Sequence, residues 1–247
     1  MAFPTRVYAD YGMEKKTGST KYHSLGTLLE LPDGREYKYA LAGGTALTSG
    51  TIVAAKVPTG NHDMDLVTAV AAVGATSITV TLGGTAAAKD LYADGYIFTN
   101  DGTGEGQVYR VKGHDAIDSS GSGAINLADA DKVAVALDTT TLCGLAPNPY
   151  SGVVITPQTV TNRTVGVPPT AIAADEYGWV QTKGLASVLI SGTVVLGQHI
   201  RVAGATTDGA VMALDRSGSG EDEQELGIVM GVVSVTTDYG LVFLNID

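Results

Sequence analysis

Residues 92–114 read YADGYIFTNDGTGEGQVYRVKGH, and their centre, NDGTGEGQ at 100–107, decides what kind of chain this is. Three glycines alternating with small or acidic residues suggest a phosphate cradle. Such a cradle needs Gly-rich backbone running into a helix, whose free N–H groups and dipole meet the anion. Here the stretch runs into Gln107-Val108-Tyr109-Arg110-Val111, which alternates like a strand, and no Lys-Ser/Thr pair follows as in a P-loop. Asp101 and Glu105 would also repel phosphate. The stretch therefore reads as a glycine-permitted hairpin between 96–99 and 107–111. One alternative stays open: Asp101 and Glu105, with the Asn100 amide, as calcium ligands, although the spacing lacks the alternating ligand set of an EF-hand.

The same period-two pattern recurs along the chain. It predicts strands over 26–30, 36–40, 51–57, 65–70, 77–82, 95–99, 107–112, 133–137 and 152–155. Beyond Pro157 it predicts 178–183, 187–190, 199–203, 211–214, 225–235 and 240–245. Leu31-Pro32-Asp33-Gly34 is a turn between the first two strands, with proline presetting φ and glycine allowing the reversal. Turn signals recur roughly every ten residues, the spacing of sandwiches and barrels. The expected fold is all-β with little helix: a strand-rich N-terminal domain (Greek-key sandwich or barrel) and a small C-terminal β-barrel. One short helix is expected over 85–95, where a cap candidate and good helix formers precede Gly95, and a short turn over 139–145. Four segments follow: an extended arm or first hairpin (1–44), a β domain (45–156), a linker (157–175) and the barrel (176–247). Pro168-Pro169 excludes a helix across the linker. The acidic, Gly/Ser-rich 217–225 reads as a solvated loop tip. No tandem repeat of fixed period is visible.

Charge narrows the function classes. The chain of 247 residues carries a net charge of −11. A nucleic-acid binder needs a basic face to release counterions, and the longest Lys/Arg run is Lys15-Lys16. Nucleic acid and anionic membrane are therefore not expected partners. The longest apolar run, 228–235, is too short to span a bilayer, and the N-terminus lacks an apolar signal core. The expectation is a soluble protein without a secretory signal. Its one cysteine, Cys143, excludes an internal disulfide and a Cys-rich zinc site. The charge is also unevenly distributed. Residues 1–44 hold six Lys and Arg against five Asp and Glu, and five of the eleven tyrosines.

Catalytic patterns are weak. His62, Asp63 and Asp65 could bind a metal, but in a strand His62 faces away from the two acids, so a loop at a strand start is the better reading. There is no Gly-x-Ser-x-Gly elbow. Cys143 sits in an apolar setting and reads as a small core residue. The other histidines, His23, His114 and His199, are scattered. Sugar-cleaving sites carry aromatic platforms, and Trp179 is the sole tryptophan. It lies in an alternating strand and reads as a core anchor. No enzyme activity, cofactor or metal is expected; a carbohydrate-active β enzyme is the competitor from another class.

Three stretches carry a resemblance: GREYKYALAGG at 34–44; residues 93–110 running on to Pro147-Asn148-Pro149-Tyr150; and 177–183 followed by 187–197 and a closing Gly-rich β run. Together they resemble head proteins of tailed bacteriophages, and the third is similar to capsid-decoration proteins built on a small β-barrel. The resemblance implies a virion structural protein that decorates or cements the capsid from outside, made in the host cytoplasm. The implied partners are the major capsid protein and further copies of itself, with a trimer by analogy. A tail, connector or fibre component is the structural alternative. For contact with the shell, the tyrosine-rich N-terminal segment offers Arg6, Tyr8, Tyr11, Tyr22, Arg35, Tyr37 and Tyr39, because tyrosine supplies large contact area with few rotors to freeze.

Overall fold

The structure, a computed structural model, describes residues 5–160, 162–204, 207–215, 224–231 and 237–246. It is all-β; among the described residues the only helical element is one 3-10 turn, Met13–Lys15. No helix among them is long and apolar enough to cross a membrane. The chain forms two compact units. One is made of residues 1–57 and 149–247, and the other, 58–148, is inserted within it.

The first unit begins with β1 (Arg6–Tyr8), β2 (Leu28–Glu30), β3 (Glu36–Ala42) and β4 (Val53–Ala54). The inserted unit contributes β5 (Leu66–Val67), β6 (Ser77–Thr81), β7 (Tyr96–Asp101), β8 (Val108–Gly113), β9 (Ser122–Leu127) and β10 (Leu142–Ala146). The chain then returns to the first unit with β11 (Ser151–Ile155), β12 (Thr164–Gly166), β13 (Tyr177–Ile190), β14 (His199–Val202), β15 (Val211–Ala213), β16 (Gly227–Val229) and β17 (Asp238–Asn245).

In the inserted unit the strand order is β5-β10-β7-β8-β9-β6. An isolated bridge between Thr68 and Val80 brings the two edges together, so the sheet nearly closes on itself. Inward residues such as Ile78, Val80, Ile97, Ile125 and Leu145 fill it, the burial of each contributing about 1.5–3 kcal/mol. The NDGTGEGQ stretch is the tip of the β7–β8 hairpin, in which Ile97 pairs with Tyr109 and Phe98 with Val108. Gly102, Gly104 and Gly106 all have positive φ, which is what a reversal this tight demands.

In the first unit, β13 is the spine. From Tyr177 to Lys183 it pairs with β3; from Lys183 to Ile190 it pairs with β17. The register breaks between Gln181 and Lys183, and Gly184 has φ +90°. A bulge and a glycine there bend the strand and let it change partners. The sequence pattern predicts two strands at this place because the glycine interrupts the alternation. Beyond the bend, β13-β15-β14-β16-β17 close into a five-stranded barrel around Val188, Ile190, Ile200, Val242 and Leu244. Before it, β3, β11, β4 and β12 extend the sheet. The turn at Leu31–Gly34 closes β2 onto β3, with the Gly34 N–H donating to the Leu31 carbonyl at 2.9 Å.

A local motif recurs at uneven spacing. At Leu47, Ala71, Ala87, Ile117, Leu137, Ile172 and Val194 a buried apolar residue forms a single bridge and is followed by a tight turn. In all seven the N–H four residues after the buried residue donates to the carbonyl one residue after it, as Thr51 does to Thr48 and Gln198 to Val195. In six, the residue three positions on is left-handed: Gly50, Gly74, Asp90, Ser120, Asp175 and Gly197. Six of the motifs pair reciprocally, Leu47 with Ile172, Ala71 with Leu137 and Ala87 with Ile117. The pattern reads apolar-x-x-Gly/Asp/Ser, and a scan for a fixed period misses it because the intervals differ.

This motif corrects several expectations. Residues 85–95 form no helix. Ala87 is held by Ile117, and Asp90 and Asp94 are left-handed, so successive three-residue turns replace i→i+4 bonds. Residues 133–137 form only the bridge at Leu137, not a strand. Four strands have no counterpart in the sequence pattern: β1, β9, β10 and β12. In β10 and β12 most residues are buried on both sides, which erases the alternation. The segment 157–175 is more than a linker, since β12 pairs with β4 within it and Ile172 is core. Residues 1–44 are not a free arm: from Leu25 onward they supply core side chains around Trp179. Residues 217–223 of the expected acidic loop and 232–235 of the strand expected over 225–235 lie outside the described residues.

Candidate functional site

The candidate adhesive residues separate by burial. β3 alternates, and Tyr37 and Tyr39 fall on its inner face, at 0% and 4% exposure. They pack with Leu25, Leu29, Leu31 and Trp179, so they serve the core and do not stand on the outer surface with the exposed tyrosines. Burial pushes both phenols above their ordinary value. Tyr8, Tyr11 and Tyr22 remain 70%, 61% and 67% exposed.

The two arginines hold this surface in shape. Arg6 donates from Nη1 to the Tyr8 hydroxyl at 3.2 Å and lies 3.5 Å from the Glu30 carboxylate. Arg35 ion-pairs with Asp33 at 2.7 Å and donates to the Tyr37 hydroxyl at 2.9 Å. Its guanidinium carbon lies 5.9 Å from the centroid of the Tyr11 ring, within cation–π range. Thus β1 and the β2–β3 hairpin present Tyr8 and Tyr11 through charged side chains that are themselves tethered.

Beside Tyr22 is a cavity of about 440 Å³ in the first unit. Its walls include Met13, Lys16, Tyr22, His23, Tyr177 and Trp179. The Tyr39 and Tyr177 rings stack at 5.7 Å and 7°, and Trp179 meets Tyr39 edge-on at 4.9 Å. The Tyr39 hydroxyl accepts the Tyr22 N–H at 3.2 Å and lies 3.3 Å from the Thr20 carbonyl, so the loop is tied to the aromatic floor. His23 packs between Tyr39 and Trp179 with a buried Nδ1 that has no hydrogen-bond partner among the described residues. Burial holds its imidazole below the ordinary histidine range. Trp179, read from the sequence as a core anchor, is 2% exposed. No sequence signal marked this cavity, because its walls come from residues about 160 positions apart.

The other candidates are engaged in local contacts. The Asp101 carboxylate accepts the Gly102 N–H at 2.8 Å, and among the described residues no three His, Cys, Asp or Glu side chains are grouped to hold a metal ion. His62 is fully buried. Its Nε2 lies 2.7 Å from the Thr85 carbonyl, which can only accept, so Nδ1 accepts from the Tyr92 hydroxyl at 2.5 Å. Asp65 is left-handed and bound by the Asn100 amide at 2.7 Å. Cys143 is buried in the inserted unit, where burial pushes its thiol up to about 12 and keeps it protonated at neutral pH. A cleft of about 600 Å³ in the inserted unit contains Lys89, Asp90, Lys112, His114 and Asp129. Its charges are paired: Lys112 binds Asp129, and Lys89 lies 3.9 Å from Asp115.

No protein family matches the chain, no curated protein resembles it in sequence, and no solved structure matches its fold.

Proposed function

We propose that this chain is a structural protein of a tailed-phage virion, a decoration protein that binds the outside of the major capsid protein shell and stabilises the head. The reading rests on the resemblance in three stretches of sequence and on one structural observation. Tyr8, Tyr11 and Tyr22 stand exposed on a segment that carries Lys15, Lys16, Lys21 and two tethered arginines, while the rest of the chain is strongly acidic. Exposed tyrosines cost little conformational freedom on contact and are enriched where interfaces gain their energy. A shell offers the same site many times, so modest contacts suffice when copies act together. In this role the chain needs neither a cofactor nor a reaction, and it acts at the capsid surface after synthesis in the host cytoplasm.

The test uses the full chain. Deleting residues 1–44 is uninformative, because it removes β3 and the core around Trp179. Replacing Tyr8, Tyr11 and Tyr22 together by serine leaves the core intact. Binding to undecorated shells should weaken by at least about a hundred-fold, each lost tyrosine contributing about 1 kcal/mol or more, with an unchanged melting temperature. Full decoration by the folded triple variant would overturn the attachment surface. Copy number separates the structural alternatives: a tail or connector component would be present at about a dozen copies per particle, far below the hundreds that repeated attachment requires.

A further inference from the structure

Part of the outer wall of the barrel, on β13, β16 and β17, is apolar where it faces water. On β17 the inward residues Gly240, Val242 and Leu244 alternate with Tyr239, Leu241 and Phe243, which are 49%, 43% and 42% exposed. Across the sheet, Phe243 pairs with Leu185 of β13, which is 44% exposed, and Tyr239 pairs with Leu189. On the other side Phe243 pairs with Ile228 of β16, and Met230 just beyond is 51% exposed. An antiparallel sheet with one face on its core normally turns polar residues outward. Nothing inside the barrel requires these outer side chains, because Val188, Ile190, Val242 and Leu244 already fill it.

We propose that this face, centred on Leu241, is where two copies of this chain bind each other across a two-fold axis. Three observations favour a second copy. First, charge: the chain carries −11 and repels itself generally, yet neither Leu185–Leu189 on β13 nor Tyr239–Asn245 on β17 contains a charged residue. Lys183, at one end, is paired to Glu36 at 3.1 Å. Second, shape: Tyr239 and Phe243 flank Leu241 symmetrically on one strand, so a two-fold at Leu241 sets each Phe243 against the other copy's Tyr239. This is the self-complementary arrangement an isologous contact needs. Third, area: five large side chains, each exposing on the order of 100 Å², give about 500 Å² per copy. The total of about 1,000 Å² is near the lower limit for a specific interface, so the pair is weak and concentration-dependent. The proposal is independent of attachment to a shell, and the residues it uses differ from Tyr8, Tyr11 and Tyr22.

Sedimentation of the whole protein from about 1 to about 200 µM spans the range expected for an interface this small. The wild type should move from monomer to dimer, and added salt should tighten the pair, since screening relieves the repulsion without weakening apolar contact. Leu241→Glu and Leu241→Lys should each remain monomeric with an unchanged circular dichroism spectrum, and mixing the two should restore a dimer because the altered residues face each other. Ser187→Glu, opposite Leu241 on β13, is the second variant should either of these fail to fold, and it should also be monomeric. A wild type that stays monomeric throughout, a trimer, or a dimer that Leu241→Glu or Ser187→Glu leaves intact would overturn the proposal.

Discussion

A Cβ on Gly102 would sit 2.3 Å from the carbonyl oxygen of Thr140. The hairpin tip that could have been a ligand cradle is thus pressed against the turn preceding β10. Gly106, four residues on, has the same left-handed backbone with nothing within 4 Å of its missing Cβ. Gly106→Ala should cost about 1–2 kcal/mol, the strain of a left-handed side chain alone. Gly102→Ala should cost about 1–3 kcal/mol more, because backbone must move. Urea midpoints of the two variants measure this, and equal values would show that the tip is not pinned by Thr140.

The inserted unit should fold alone. Residues 58–148 hold their own core from Leu66 to Leu145. A fragment of those residues should melt cooperatively and keep Cys143 unreactive toward a thiol reagent until it unfolds. The complementary excision should also fold, because the chain leaves after β4 and returns in β11, which pair at Ala54 and Val154. A short Gly-Ser linker can replace the insertion. Trp179, in the first unit, reports on that half by fluorescence. A fragment with a freely reactive thiol would show that the insertion depends on the rest of the chain.

Alkaline pH should destabilise the inserted unit through Tyr92. Burial pushes its phenol up to about 12 from an ordinary 10.0. The unfolded chain loses this proton first, so the stability contributed by Tyr92 is complete below pH 10 and is lost as pH rises towards 12. Tyr92→Phe should flatten that decline in the 58–148 fragment. It should also cost about 1–3 kcal/mol at neutral pH, because the buried His62 Nδ1 loses its donor. Denaturation curves at stepped pH measure both effects.

Acid should act on the first unit through His23. Its folded value lies below the ordinary 6.5 because burial disfavours the charged ring. The unfolded state therefore gains a proton first as pH falls. Stability from this group is complete above 6.5 and declines as pH drops towards the folded value. In Trp179-monitored denaturation, His23→Phe should remove that part of the slope between about pH 7 and pH 5. An unchanged slope would mean that the imidazole is hydrated in solution.

What could be read from the chain follows from range. Alternation in residues 96–99 and 107–111, with three glycines between, specifies a hairpin from its own residues alone, and the Leu31–Gly34 turn does likewise. Both are local, so the all-β class and the exclusion of a phosphate cradle are properties of sequence. β10 and β12 could not be read because burial on both faces removes the period. The helix that 85–95 suggests does not form because Ala87 is taken by a bridge to Ile117, a partner thirty residues away. Tyr37 and Tyr39 look like adhesive tyrosines until β3 is seen to place them around Trp179. Only the fold separates them from Tyr8, Tyr11 and Tyr22, and only the fold joins β13 to β17 so that Leu185, Leu241 and Phe243 form one apolar face. Composition counts residues of a kind, but long-range pairing decides which of them meet water, and that determines which can meet a partner.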